Sequence, residues 1–360
     1  MTAPSRVVCI GGAVRDRKLH LHAPAAFGTS NPASGTTSAG GVARNVTENL
    51  ARLGIDVALV SRVGRDAAGT ELTAGLAALG ADVTAVTADA HAGTAEYLAV
   101  LDPAGELVLG VADMAVLERI GVADLDAVWP GTGWVFADCN LAPDVLAHLL
   151  ARGRATGADG RVRVAVDAVS TPKVTRLPAD LAGIGLLFCN RDEARALLAR
   201  IGALAPAVDG LGPGDQGRAC DGSGPGDEDE PLVAGLLAAG VAAVVLTRGP
   251  KGVLAAARSP EFSPPGPVAP EDPDITPAAA TPPGFVLWQV PAVPAAVVDV
   301  TGAGDALVAG VLSGLARGRS LPESLVLGTL TAALTVECDR SVRPDLGPEL
   351  VAAELENRSR

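Results

Sequence analysis

The segment VDVTGAGDAL, Val298 to Leu307, places two glycines and two aspartates within seven residues of otherwise small or aliphatic type. The apolar residues before it predict a strand running to Val298. After it, Ala306, Leu307, Val308, Val311, Leu312 and Leu315 recur at helical spacing and Gly318 supplies a stop. The segment therefore reads as a strand-to-helix turn. Helix starts carry unpaired N–H groups and the positive end of the dipole, and glycines let a ligand approach the backbone, so the turn is a cradle suited to a phosphate. Asp305 falls in the first helical turn. An acidic residue that complements the dipole accounts for the aspartate, but not for Gly302, Ala303 and Gly304 just before it. The alternative is that Asp305 accepts a proton from a hydroxyl attacking that phosphate.

The elements that must position this turn alternate along the chain. RVVCIGG, IDVALVSRVG, GWVFAD, VRVAVDA, IGLLFCN and VAAVVLTRG are short, Val/Leu-rich runs of the kind found in strands buried on both faces. GGVARNVTENLARLG, AGTELTAGLAALG, PDVLAHLLARG and NRDEARALLARI read as helices between them; in the first, Ala43, Val46, Leu50 and Leu53 form the apolar stripe. This predicts a parallel sheet covered by helices on both sides. AVRDRKLHLH and GTAEYLAVLDPAGELVLGVADM instead alternate apolar and polar residues, the second around a Pro103 to Gly105 turn. They predict a small half-buried sheet acting as a lid. Residues 207–231, rich in Gly, Asp and Pro, and 260–283, rich in Pro and Ala, read as flexible surface insertions.

Composition narrows the class. With 28 basic against 41 acidic residues the net charge is −13, which disfavours nucleic acid and anionic membranes as partners. The five cysteines show no CxxC spacing, the four histidines are scattered, and the start MTAPSRVVCIGG carries no secretory pattern. A cytoplasmic protein with reduced thiols is expected. The cysteines read as small buried hydrophobes, His20 and His22 as solvated or substrate-facing positions, and Arg248 as surface charge.

DVTGAGDAL resembles the DTxGAGD signature of the ribokinase-like carbohydrate kinases, the PfkB family. SAGGVARNVTENLARLG (Ser38 to Gly54) resembles the family's N-terminal Gly-Gly motif, NRDE (Asn190 to Glu193) its N-x-x-E pattern, and LTRG (Leu246 to Gly249) its T-x-G turn. All four stand in the family's order and span nearly the whole chain. The resemblance implies an α/β, ribokinase-like three-layer sandwich with a mostly parallel central sheet and a small β-sheet lid. The core would comprise 1–13, 41–93 and 115–360, and the lid 14–40 and 94–114, with a homodimer formed through the lid.

The resemblance also assigns roles. Asp305 is the expected catalytic base, with Gly302, Ala303 and Gly304 donating to the transferring phosphoryl. Asp16, Gly41 and Asn45 are expected to hold substrate hydroxyls, although Asn45 taken alone fits a solvated helix face. Asn190, Thr247 and Gly249 line the nucleotide, ATP. Glu193 organises Mg²⁺ through water, though Asn-x-x-Glu is equally a capping pattern. Asp299, with the loop ECDRSVRP (Glu337 to Pro344), is the candidate site for K⁺, and Val300 departs from the threonine usual there.

The acceptor implied is a small sugar or nucleoside. GGAVRDRK, GTSNP, GGVARNVTENLARLG, TAEYLAVLDPAGEL, VADM and DAVSTPK carry a narrower resemblance within the family, which implies pseudouridine phosphorylated on its 5′ oxygen. Ribose, fructose, adenosine or a sugar phosphate is the alternative. Arg15, Arg17 and Lys18 suit the last of these, or simply a solvated charged strand. A ligand-binding protein without catalysis is the reading from another class, and the intact Gly-Ala-Gly-Asp argues against it.

Overall fold

The computed structural model describes residues 4–157, 161–203, 229–258, 276–277 and 285–358. The Val/Leu runs pair into one large sheet. Its parallel part comprises β1 (Val7–Ile10), β4 (Val57–Gly64), β5 (Val86–Asp89), β8 (Gly133–Asp138), β9 (Val162–Asp167), β10 (Leu186–Asn190) and β11 (Ala243–Thr247). β12 (Val253–Ala257) joins β11 antiparallel, followed by β14 (Val286–Val290) and the two-residue β13 (Thr276–Pro277), giving the order β13-β14-β12-β11-β10-β9-β8-β1-β4-β5.

Successive strand residues point to opposite faces, and the core divides accordingly. Val8, Ile10, Val135, Ala137 and Val164 face one apolar cluster, where they meet Leu149 of α4 (Pro143–Gly157), Leu197 of α6 (Arg191–Arg200) and Leu236 of α7 (Asp229–Ala238). Val7, Cys9, Leu59, Trp134 and Phe136 face the other, with Leu50 of α1 (Val42–Arg52), Leu76 of α2 (Ala67–Ala78), Val311 of α8 (Ala303–Ala316) and Leu325 of α9 (Leu321–Val336). The result is a sheet between two helical layers. The short α3 (Val122–Asp126) and α5 (Thr171–Val174), and α10 (Pro348–Arg358), complete the described helices. The apolar-stripe residues Ala43, Val46 and Leu50 of α1 and Leu53 just after it are buried, and burial of each larger aliphatic stabilises the fold by about 1.5–3 kcal/mol.

A second sheet has the order β3-β2-β6-β7. β2 (Val14–Leu21) pairs antiparallel with β3 (Ala33–Gly40) and parallel with β6 (Ala95–Leu101), which turns back into β7 (Leu107–Asp113). β3, ASGTTSAG, has almost entirely exposed residues and no apolar alternation to announce it.

Three expectations are corrected. The chain before the Gly-Ala-Gly turn is not a strand: β14 ends at Val290, and 291–300 run without sheet pairing. Pro291 and Pro294 have no N–H to give a ladder, and Val297, Val298 and Val300 stand exposed. The expected insertion 207–231 ends too late, because Asp229 to Pro231 begin α7, where buried Asp229 pairs with Arg191 at 2.7 Å. Arg248 is not surface charge. Its side chain is 10% exposed, and Nη2 lies within 3.4 Å of the Lys251 and Val253 carbonyls. The rest of that insertion, 207–228, together with Cys220 and most of 260–283, lies outside the described residues. Cys9, Cys139 and Cys189 are buried free thiols, and His20 and His22 are exposed.

Candidate active site

The carboxyl ends of the parallel strands converge on one cleft. At the end of β8, fully buried Asp138 accepts from the backbone N–H groups of Gly12 (2.9 Å), Ala43 (3.0 Å) and Asn140 (3.0 Å). It thereby clamps the turn after β1 to the first turn of α1. The Gly-Gly motif allows this approach: Gly41 has φ +95°, and a Cβ there would lie 2.4 Å from the Gly12 carbonyl oxygen.

α1 carries Asn45 inward. The side chain is buried, not solvated, and its Nδ2 donates to Asp305 Oδ2 at 2.7 Å. Asp305 sits in the first turn of α8, as its spacing predicts. Burial pushes its carboxyl up to about 7; the Asn45 hydrogen bond opposes this, and the negative charges of Asp138 and Asp16 add to it. Burial likewise raises Asp16 on β2 to about 6, against the opposing charges of Lys18 and Arg44.

Gly302 precedes α8 in the left-handed region at φ +81°, and a Cβ there would lie 1.9 Å from the Ser341 carbonyl oxygen. The loop of Ser341 can pack on the turn only because residue 302 is glycine. The Ala303 N–H is taken by the Val300 carbonyl at 3.2 Å, so of the three expected donors Ala303 is already engaged.

A cavity of about 190 Å³ is lined by Gly304 and Asp305 together with Asp167, Asn190, Glu193 and Thr247. Five separately predicted residues thus share one wall, and Asp167 joins them. Gly249 lies outside that lining, exposed in the turn after β11. Asn190 and Glu193 form a reciprocal cap: the Glu193 N–H donates to Asn190 Oδ1 at 2.9 Å, and the Asn190 N–H to Glu193 Oε2 at 2.8 Å. Burial raises the Glu193 carboxyl. It raises Asp167 well above the carboxylate range too, with the charges of Asp305 and Glu193 adding to the effect. Carboxylates crowded this way favour a cation among them. Among the described residues, no group of three or more His, Cys, Asp or Glu forms a direct metal cage.

Asp299 is differently placed. Its Oδ1 accepts from the Thr301 N–H (2.8 Å) and hydroxyl (2.7 Å), and its Oδ2 lies 3.4 Å from Lys18 Nζ of the lid. Partial burial works against its charge, but these donors outweigh it and hold the carboxyl low. Both oxygens are engaged by the chain's own groups, and the Lys18 ammonium already places a positive charge beside them.

Asp138, Asp167 and Val169 are candidate site residues to which the motifs assigned no role. Both aspartates end apolar strands, the usual ligand side of a parallel sheet. Val169, at φ +66°, is the one described non-glycine residue in the left-handed region; the Ser170 N–H closes a tight turn on the Ala168 carbonyl at 2.7 Å, and Val169 lines the cavity.

The family model for pfkB family carbohydrate kinases matches residues 4–273 and 284–345. The chain belongs to the pfkB family. As a member it is a phosphotransferase with a hydroxyl acceptor, a sugar or nucleoside kinase. A pseudouridine kinase from Escherichia coli K12 is 29% identical over 355 residues, covering 98% of this chain and 96% of that one. A guanosine-inosine kinase from Exiguobacterium acetylicum is 27% identical over 358 residues, covering 97% and 99%. Among solved structures, a ribokinase from Thermotoga maritima superposes with a TM-score of 0.73 at 16% identity, covering 98% of this pfkB chain and all of that one (100%). The ribokinase-like fold expected from the motifs is thereby shown. No described helix is long and apolar enough to cross a membrane.

Proposed function

We propose that this pfkB kinase transfers the γ-phosphoryl of ATP to the 5′ hydroxyl of a nucleoside, with pseudouridine as the acceptor. The observation that carries the kinase chemistry is the Asn45–Asp305 contact beside Gly304, with the carboxyl raised to about 7. A base whose pKa lies near the working pH combines a useful ionised fraction with real proton affinity. In the step proposed, the substrate oxygen attacks the γ-phosphorus and its proton passes to Asp305. The bond from the γ-phosphorus to the β–γ bridging oxygen breaks and ADP leaves. The Gly304 and Asp305 N–H groups offset charge on the transferring phosphoryl, since phosphoryl transfer depends chiefly on positioning and charge stabilisation.

Glu193 and Asp167 are the groups that would hold Mg²⁺ through water, and the ion supplies charge neutralisation for the triphosphate. Asn190 and Thr247 line the nucleotide side, with Gly249 at its margin. Asp16 and the α1 start at Gly41 face the acceptor hydroxyls. A monovalent cation at Asp299 would have to compete with the Lys18 ammonium. The acceptor choice is supported by the 29% identity to the pseudouridine kinase over nearly the whole chain.

A coupled ADP-release screen over pseudouridine, uridine, guanosine, inosine, ribose and fructose tests the reading. Preference for pseudouridine in kcat/KM is expected. Equal rates on ribose and pseudouridine would remove the nucleoside assignment while leaving the kinase.

A further inference from the structure

The contact between Asn45 and Asp305 requires the Asn45 amide to face the right way. Its nitrogen must meet the carboxylate, and a flipped amide would set oxygen against oxygen. The other end of the amide decides this. Asn45 Oδ1 accepts from Nη1 of the adjacent Arg44 at 2.9 Å, and both side chains are buried. A guanidinium has donors only, and an ionised carboxylate has acceptors only. An amide between the two has one satisfying orientation.

Arg44 is itself held. Its Nη1 reaches the Ala39 carbonyl at the end of β3 at 3.4 Å, and its Nη2 donates to Glu48 one turn along α1. Glu48 Oε1 accepts from Arg52 at 2.7 and 2.9 Å, and Arg52 donates to the Pro344 carbonyl in the loop that packs beside Gly302. The Arg44 Nε has no partner among the described residues. Burying this much charge is a poor route to stability, because apolar side chains of similar volume do as well or better. A requirement for orientation explains why a helix core carries an Arg-Glu-Arg series here.

We propose that Arg44 is a positioning residue that fixes the Asn45 amide, and through it meets Asp305 with a donor at all times. The inference deepens the reading of Asp305 as the base. The groups facing Asp305 are Asp16 from β2, Asp138 from the end of β8, Asp167 from the end of β9, and Asn45 and Arg44 from α1. The three aspartates oppose its ionisation and the two α1 groups favour it. Arg44 is faced by Glu48, Arg52 and Asp16.

The test is a ¹³C-carboxyl NMR titration of Asp305 in the full chain, assigned with Asp305→Asn, for the wild type, Arg44→Met and Arg44→Lys. Arg44→Met leaves Glu48 paired with Arg52. Its Asp305 midpoint should rise by about half a unit or more, and that of Arg44→Lys, which keeps the charge without the fork, by less. In kinetics, kcat/KM of Arg44→Met should fall at pH 7 and approach the wild-type value at pH 9. An unchanged midpoint in Arg44→Lys overturns the inference, because loss of the Arg44 charge by itself raises the Arg44→Met midpoint; activity lost equally at every pH overturns it too. The Arg44→Lys criterion holds whether or not Arg44→Met folds. The titration needs no turnover, so it decides the role of Arg44 even if Asp305→Asn stays active and the base reading fails.

Discussion

Asp305 is a half-buried acid with a raised pKa, and that has a consequence separate from catalysis. Its folded pKa of about 7 exceeds the value near 3.9 of an unfolded aspartate. Between those values the folded state binds the extra proton, so this group's contribution to stability is full below about pH 4, falls as pH rises, and is lost above about pH 7. Asp305→Asn removes the charge and keeps an acceptor for Asn45. Its Tm advantage over the wild type should therefore be larger at pH 8 than at pH 5; equal differences would show that Asp305 is not perturbed. Asp16 gives a second prediction. Leaving its hydroxyl partners unmatched costs about 1–3 kcal/mol, so Asp16→Ala should raise KM for pseudouridine strongly and KM for ATP little, in steady-state kinetics with each substrate varied. Asp305 was legible because an acid after Gly-Ala-Gly is a local pattern. Asn45 was legible only through its motif, since a polar residue off the apolar stripe looks the same whether solvent or a half-buried acid faces it. Asp138 was not legible as a site residue: its role lies in two N–H groups 126 and 95 positions away in sequence.

At the scale of elements, the turn before α8 is the part most dependent on one residue. Gly302→Ala places a methyl against the Ser341 carbonyl at a left-handed φ, and strain of this kind costs about 1–3 kcal/mol. The variant should lose several degrees of Tm and most of its turnover, because the 341 loop and the start of α8 must separate; wild-type Tm and kcat would show that the loop moves aside freely. The strands and helices of the core were readable because burial on both faces produces continuous apolar runs and helices produce three-and-four spacing. β3 was not, because a strand of Ser, Thr, Gly and Ala exposed to solvent carries no burial pattern. The expected strand at Val298 failed for the converse reason: Val297, Val298 and Val300 are apolar but exposed, and sequence alone does not separate an apolar run that is covered from one that is open.

On the scale of the whole molecule, the lid presents an apolar outer strand. Leu107, Leu109 and Val111 alternate along β7, an edge strand, and each is 46–51% exposed. Pairing of two lids would cover this edge, so sedimentation should give a dimer for the wild type and a monomer for Leu109→Glu; a monomeric wild type would refute the pairing. In the proposed reading, the lid supplies Asp16, α1 supplies Asn45, α8 supplies the base and the phosphate donors, and the end of β9 and the first turn of α6 supply Asp167 and Glu193 on the nucleotide side. The central claim is that these meet so that Asp305 takes the proton of the attacking hydroxyl. Its most direct measurement is ADP release from ATP and pseudouridine by wild-type protein and by folded Asp305→Asn at pH 8. A general base contributes about 10²–10⁴-fold, so kcat of the variant should fall by that factor with its Tm at or above that of the wild type. A folded variant turning over within a few-fold of the wild type would contradict the account.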